Sequence, residues 1–277
     1  MPAADDRQLL EETARAAGRL ALSATKDGVE SWDKEPGHPV TQIDLAVDRF
    51  LRETLLAARP DYGWLSEETT DDPARLSASR LFIVDPIDGT RDLIRGRDGW
   101  AVAVAVVEDG RPVHGVIFAP ALGRLYAASE GRGAWLNGRS IAASRSARLD
   151  DARLCIDRDV PRSKHWAGPR GLGTVYRPNS IALRVARVAA GEADLTFDGR
   201  PSHEWDTAAA LLILSEAGGV MTNETGEAFR YNKADPIERN LCASANPVLH
   251  EQALAIFTAT LDNWRAARAR KQPKARR

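Results

Sequence analysis

The chain has 277 residues, of which 43% are hydrophobic and 28% charged, with a formal net charge of −1; these are the proportions of a globular protein. No apolar run approaches the roughly 20 residues that cross a bilayer, which excludes a helical membrane protein. Seven basic residues and no acidic one fall between Arg265 and Arg277, so a basic tail follows an acidic body, and nothing else has the charge bias of a nucleic-acid surface.

At ~150 residues per domain the length suggests two units or one large one. Met1 to Arg19 is charged and amphipathic and does not read as a signal peptide. Residues 5–25 carry Leu9, Leu10, Ala16, Ala17, Leu20 and Ala21 at helical spacing. A polar stretch from Lys26 to Pro39 follows. Ile43, Val47, Phe50, Leu51 and Leu55 predict a second helix over 42–58. Leu81 to Val84 is short and apolar enough for a buried strand. Ala101–Val107 and Val113–Ala119 read as a hairpin around Glu108–Arg111. Leu125–Ala128 continues the sheet, and Asn137-Gly138 is a tight turn.

Beyond residue 145 the pattern changes. Strand-like stretches at Leu154–Ile156, Asp194–Phe197, Val220–Thr222 and Leu241–Ser244 alternate with helices near Ser180–Ala190, Asp206–Glu216 and Val248–Asp262. Such alternation predicts an α/β unit. The expected organisation is a helix-plus-antiparallel-sheet part over 1–145, an α/β part over 146–264, and a basic, disordered tail over 265–277. Cys155 and Cys242 sit among apolar residues and read as buried thiols, which places the protein in the cytoplasm.

The chemistry-bearing residues are carboxylates. In Asp85-Pro86-Ile87-Asp88-Gly89-Thr90 a turn can aim two carboxylates and the Ile87 carbonyl at one point, the all-oxygen set that hard divalent cations take. A carboxylate beside a buried strand is costly unless paired or metal-bound. Gly89 and Thr90 can open a helix whose free N–H groups face a phosphate. Read alone, the segment is also an ordinary capped turn. Ser66-Glu67-Glu68 alone reads as a solvated loop. Thr41 and Asp44 fit an N-cap with an acidic first turn, a role compatible with catalysis. Asp206 reads as an N-cap and Gly218-Gly219 as a C-cap of one apolar helix. The five histidines show no metal spacing, and no nucleophile elbow, phosphate loop or dinucleotide fingerprint occurs. Abundant carboxylates without another nucleophile point to metal-activated water.

Together and in this order, Glu67-Glu68, Asp85 to Thr90, Trp205 to Ala209 and Glu216 to Gly219 resemble the motifs of the inositol monophosphatase superfamily, the Mg²⁺-dependent, lithium-sensitive phosphatases. The resemblance spans about residues 5–262. It implies a layered αβαβα sandwich. It implies that Glu67, Asp85, the Ile87 carbonyl, Asp88 and Asp206 ligate two or three Mg²⁺ ions, and that Asp44 and Thr90 polarise the attacking water. It also implies that Gly89, Thr90 and Arg91 hold the phosphate, with Ser180 and Glu204 as further substrate contacts.

Two branches compete for the substrate. Arg91-Asp92 has the charge pattern of the 3'(2'),5'-bisphosphate nucleotidase branch, which hydrolyses 3'-phosphoadenosine 5'-phosphate, and Glu204 to Ala209 matches that branch too. Inositol monophosphatases carry a glutamate seven residues before the Trp-Asp aspartate; here that position is Gly199, beside Asp198. Asn179-Ser180 departs from the Gly-Ser of both branches. Arg91, Arg95, Arg97 and Arg200 are candidates for a second phosphate. The favoured reading is the bisphosphate nucleotidase, with inositol-1-monophosphatase or another sugar or polyol phosphatase as alternative. A non-catalytic regulatory or RNA-associated protein on the same fold is the reading from another class. The expected partner is a small phosphorylated metabolite, without membrane or nucleic acid, and a homodimer is left open.

Overall fold

The computed structural model describes residues 5–238 and 240–271. In chain order its elements are α1 (Asp6–Ala24), β1 (Ser31–Glu35), β2 (His38–Thr41), α2 (Gln42–Ala58), β3 (Gly63–Ser66), β4 (Arg80–Asp88), α3 (Thr90–Ile94), β5 (Ala101–Glu108), β6 (Arg111–Ala119), β7 (Arg124–Ser129), β8 (Gly133–Leu136) and β9 (Arg139–Ile141). Then come α4 (Ile181–Ala189), β10 (Leu195–Asp198), β11 (Ser202–His203), α5 (Glu204–Glu216), β12 (Val220–Asn223), β13 (Ile237–Glu238), β14 (Leu241–Ser244) and α6 (Pro247–Lys271).

Strands β3 to β9 form one sheet in sequence order. Only β3–β4 is parallel; every other pair in it is antiparallel. Both faces of its centre are covered, so Leu81–Val84 of β4 and Ala101–Val107 of β5 are continuous apolar runs rather than alternating ones. Phe82, Val84, Val102 and Val104 pack toward α1 and α2. Ile83, Ala103 and Ala105 pack toward α4 and α5. The β5–β6 connection has Asp109 and Gly110 at φ 50° and 73°, the backbone of a two-residue hairpin loop.

Beyond α4 and α5 lies a smaller sheet, ordered β10-β14-β12, and beyond that α6, whose Leu249, Ala253, Phe257 and Leu261 close a third cluster against Phe197 and Leu195. The layers run helix, sheet, helix, sheet, helix, the expected αβαβα sandwich. Helix α5 lies between the two sheets, which is why it is apolar on every side.

The second half is an α/β part as expected, and its small sheet pairs antiparallel. Several expectations need correction. The strand expected at Leu154–Ile156 is reduced to single bridges from Leu154 to Thr174 and Leu195. The polar stretch 26–39 contains β1 and the start of β2, a hairpin that ends at Thr41. Helix α6 runs on to Lys271, so the tail is helical there, and 272–277 lie outside the described residues. Cys155 and Cys242 are buried free thiols, as expected. No described helix is long and apolar enough to cross a membrane.

Candidate active site

Strand β4 runs through Asp85 and on to Asp88, and its pairing with β5 slips between these residues. Asp85 stays opposite Ala103 and Asp88 opposite Ala101, so the bulge between them lets both side chains turn to one side although they are three residues apart. Gly89 follows at φ 97° and opens the short helix α3. A Cβ there would lie 2.8 Å from the Gly99 carbonyl oxygen and 2.9 Å from the Ser180 nitrogen, so only glycine fits.

Asp85, Asp88 and Asp206 each place a carboxylate oxygen within 4.8 Å of the others. Asp85 is enclosed and accepts from the Ile87 N–H at 3.0 Å. Asp88 is held from the second half of the chain: Ser180 Oγ donates at 2.6 Å, and the Ala182 and Ile181 N–H groups donate at 2.7 and 3.1 Å. Asp206 sits at the third position of α5 and accepts from the His203 N–H at 2.6 Å. Among the described residues, no lysine or arginine comes within ion-pair distance of any of the three. Burial, then the neighbouring carboxylates, pushes Asp85 and Asp206 well above the usual carboxylate range. Burial pushes Asp88 up to about 6 against the pull of its donors. A divalent cation would remove this repulsion.

Asp44 is 1% exposed and serves two partners. Its Oδ2 accepts from the Thr41 N–H at 3.0 Å and from the Thr41 hydroxyl, closing the capping box of α2. Its Oδ1 lies 2.9 Å from Thr90 Oγ1, which is also 3.0 Å from the Ile87 carbonyl oxygen. Burial pushes Asp44 up to about 6, opposed by these hydrogen bonds.

Glu67, Asp85, Ile87, Asp88, Gly89, Thr90, Arg91, Asn179, Arg200 and Asp206 line one cleft of about 200 Å³, with Gly37 to Pro39 of the hairpin as its other wall. Glu67 carries a feature that local sequence does not reveal: Lys34 of β1 donates at 2.8 Å to both Glu67 and Glu68. Burial and the Glu67 charge push Glu68 up to about 7. The only signal for Lys34 was a lysine in a polar stretch.

Three expectations fail in detail. Glu204 does not face the cleft; it is fully enclosed, and its carboxylate accepts from the Asn232 and Lys233 N–H groups at 2.7 and 2.9 Å. It lies two helical positions before Asp206, and such residues face opposite sides. Ser180 is also fully enclosed and caps α4 while holding Asp88, so it reaches the cleft only through that aspartate. Asp206 is not the N-cap of α5; His203 is. Of the candidate arginines, Arg91 donates to the Gly37 carbonyl and Arg200 lines the cleft, while Arg95 and Arg97 do not line it.

The family model of the inositol monophosphatase family matches residues 5–261. The chain belongs to the inositol monophosphatase family. An inositol-1-monophosphatase of Rhizobium meliloti is 37% identical over 203 residues, 70% of this chain and 75% of that one. A 3'(2'),5'-bisphosphate nucleotidase of Aggregatibacter actinomycetemcomitans is 31% identical over 243 residues, 81% and 86% of the two chains. The solved IMPase structure from Thermotoga maritima superposes with a TM-score of 0.80 at 29% identity, covering 93% of this chain and 99% of that one. This is a family of phosphatases, and its named members differ in substrate.

Proposed function

We propose that the chain is a Mg²⁺-dependent phosphomonoesterase whose substrate is a 3'(2'),5'-bisphosphate nucleotide. The observation that carries the catalytic reading is the trio of buried Asp85 and Asp88 with half-buried Asp206, three carboxylates within 4.8 Å without a lysine or arginine partner among the described residues. An all-oxygen set of this kind suits Mg²⁺. Glu67, Asp85, the Ile87 carbonyl, Asp88 and Asp206 would hold two to three ions, Glu67 exchanging its contact with Lys34. When bound, the ions neutralise phosphate charge, acidify water and stabilise the leaving oxygen.

The chain's own residues do the rest. Thr90 donates its hydroxyl proton to Asp44, which turns the Thr90 lone pairs toward the cleft. Asp44, raised to about 6, can take a proton near neutral pH. The pair orients a water for in-line attack on phosphorus, without a phosphoenzyme. The N–H groups of Gly89 and Thr90 at the start of α3 receive phosphate oxygens.

For the substrate, the support is the charge around the cleft. Asp198, the carboxylate nearest the position where inositol-hydrolysing relatives are expected to carry an acid, is ringed by Arg177, Arg184 and Arg200 and is not free to accept from hydroxyls. The second reading, an inositol-1-monophosphatase, is favoured by the 37% identity to the Rhizobium enzyme. Phosphate release with Mg²⁺ decides between them. The expected kcat/KM for 3'-phosphoadenosine 5'-phosphate exceeds that for inositol 1-phosphate, and a preference for the inositol ester sinks the substrate reading. Asp85→Asn is expected to lower kcat by at least about 100-fold; activity within a few-fold of wild type would remove Asp85 from the metal set.

A further inference from the structure

Beside the carboxylate cleft lies a larger cavity of about 380 Å³, between the end of β10, the segment 156–165 and the last turns of α6. It is of the size that ordinary small-molecule sites have. Arg200 lines both spaces, so they adjoin across one side chain. One wall is apolar: Phe197, Trp264 and Val160. Phe197 is fixed by Trp166 at 5.7 Å and Phe257 at 4.8 Å between ring centroids. Gly199 shapes this wall, because a Cβ there would lie 2.9 Å from Leu261 and 3.3 Å from Trp264. The glycine lets α6 close over the end of β10.

The rest of the lining is mostly polar and carries an excess of positive charge. Asp198 is approached by Arg184 at 3.0 Å, Arg200 at 3.2 Å and Arg177 at 3.5 Å. Arg184 is enclosed and spends its remaining N–H groups on the Ser180 and Asn179 carbonyls. Arg177 has no other hydrogen bond or ion pair among the described residues, and its side chain is 23% exposed. Burial, then the Arg184 charge, pushes it down to about 10 against the pull of Asp198. Arg268 adds charge at the rim, and Asp157 is the other carboxylate in the lining. Three guanidiniums therefore line the cavity with two carboxylates, and enclosed Arg184 also draws on Asp198.

We infer that this cavity receives the non-reacting end of the substrate, a planar aromatic ring joined to a second anionic group, with the ring on Trp264, beside the edge of Phe197, and the anion on Arg177 and Arg200. The inference rests on the proposed phosphatase and nucleotide reading and adds the place in the fold that holds the leaving group. A polyol would leave the Arg177 charge without a counterpart. A leaving group bearing an ammonium would add to the positive excess.

The test is calorimetric binding of adenosine 5'-monophosphate, which carries the ring and one anion, to the full chain with and without Mg²⁺. Saturable binding is expected, with a Kd raised at least about tenfold by Arg177→Ala and by Trp264→Ala and partly restored by Arg177→Lys. Adenosine, lacking the anion, is expected to bind more weakly and to be indifferent to Arg177→Ala. Trp264→Leu, which keeps the packing of α6, guards against loss of fold. Equal binding by wild type and both alanine variants, or no saturable binding by wild type, overturns the subsite. Because binding is read without turnover, the readings fail separately. A chain that binds through Arg177 and Trp264 but releases no phosphate keeps the subsite and loses the phosphatase; one that hydrolyses esters yet binds alike in all variants does the reverse.

Discussion

Asp44 does two things with one carboxylate, and its position at the start of α2 explains how. One oxygen closes the capping box with Thr41, which fixes the side chain to a rigid helix end. The other is left for Thr90, on a different element. A local cap and a catalytic role therefore coexist at one residue. They separate under substitution. Asp44→Asn keeps an oxygen for the Thr41 N–H but no longer takes the Thr90 proton. It is expected to lower kcat by about 10²–10⁴-fold, the usual worth of a positioned acid or base, while costing no more than about 1 kcal/mol of cap stability. Thr90→Ser, which retains the hydroxyl, is expected to keep most of the activity, and Thr90→Val to lose as much as Asp44→Asn. Rate assays paired with thermal melts check both. An Asp44→Asn enzyme within threefold of wild type would mean that Thr90 needs no acceptor.

Among elements, α4 and α5 carry the second half of the chain to the site. The first turn of α4 delivers the Ser180 hydroxyl and two N–H groups to Asp88, so an aspartate on β4 is oriented by a helix about 90 residues later in the sequence. Removing the hydroxyl leaves two of three donors and an uncapped helix. Ser180→Ala is expected to cost about 1–2 kcal/mol in stability and to raise the Mg²⁺ concentration needed for half-maximal rate several-fold, whereas Ser180→Thr retains both. An unchanged Mg²⁺ requirement would show that Asp88 is oriented without Ser180. This also explains which parts could be read from the sequence. Helix α2 and strands β4 and β5 announced themselves through Ile43, Val47 and Leu51 at helical spacing and through unbroken apolar runs, because packing writes directly into those patterns. Asp85 to Thr90 was legible because its ligand types lie within six residues on one strand and turn. The β1–β2 hairpin was not, since all five residues of β1 are exposed and no alternation marks it. Glu204 misled because sequence adjacency to Asp206 does not survive the turn of a helix. The grouping of Arg177, Arg184 and Arg200 around Asp198 has no local signature; it exists only once β10, α4 and the loop between 156 and 180 are packed.

At the scale of the whole molecule, the site lies on the seam between two parts of the chain, and its charge opposes the packing that assembles it. The large sheet contributes Asp85 and Asp88, and α5 brings Asp206 against them from the middle helical layer. Hydrophobic burial in the shared core of β4, β5, α4 and α5 holds the three carboxylates together despite their mutual repulsion. Folding thus stores an unfavourable term that a cation relieves, and the balance is measurable. A ligand that binds only the folded chain stabilises it by about 2.7 kcal/mol at one hundred times its Kd. At about 2–4 °C per kcal/mol for a chain near this size, saturating Mg²⁺ is expected to raise Tm by about 5–10 °C. Asp206→Asn removes one charge from the trio while keeping an oxygen for the His203 N–H. Without added metal it is expected to melt above wild type, and with saturating Mg²⁺ to gain less and fall below it. That crossing of the two melting curves is specific to a metal-binding role. A variant that melts lower under both conditions would make Asp206 a structural cap of α5, and a wild-type Tm indifferent to Mg²⁺ would remove the cation from the site altogether.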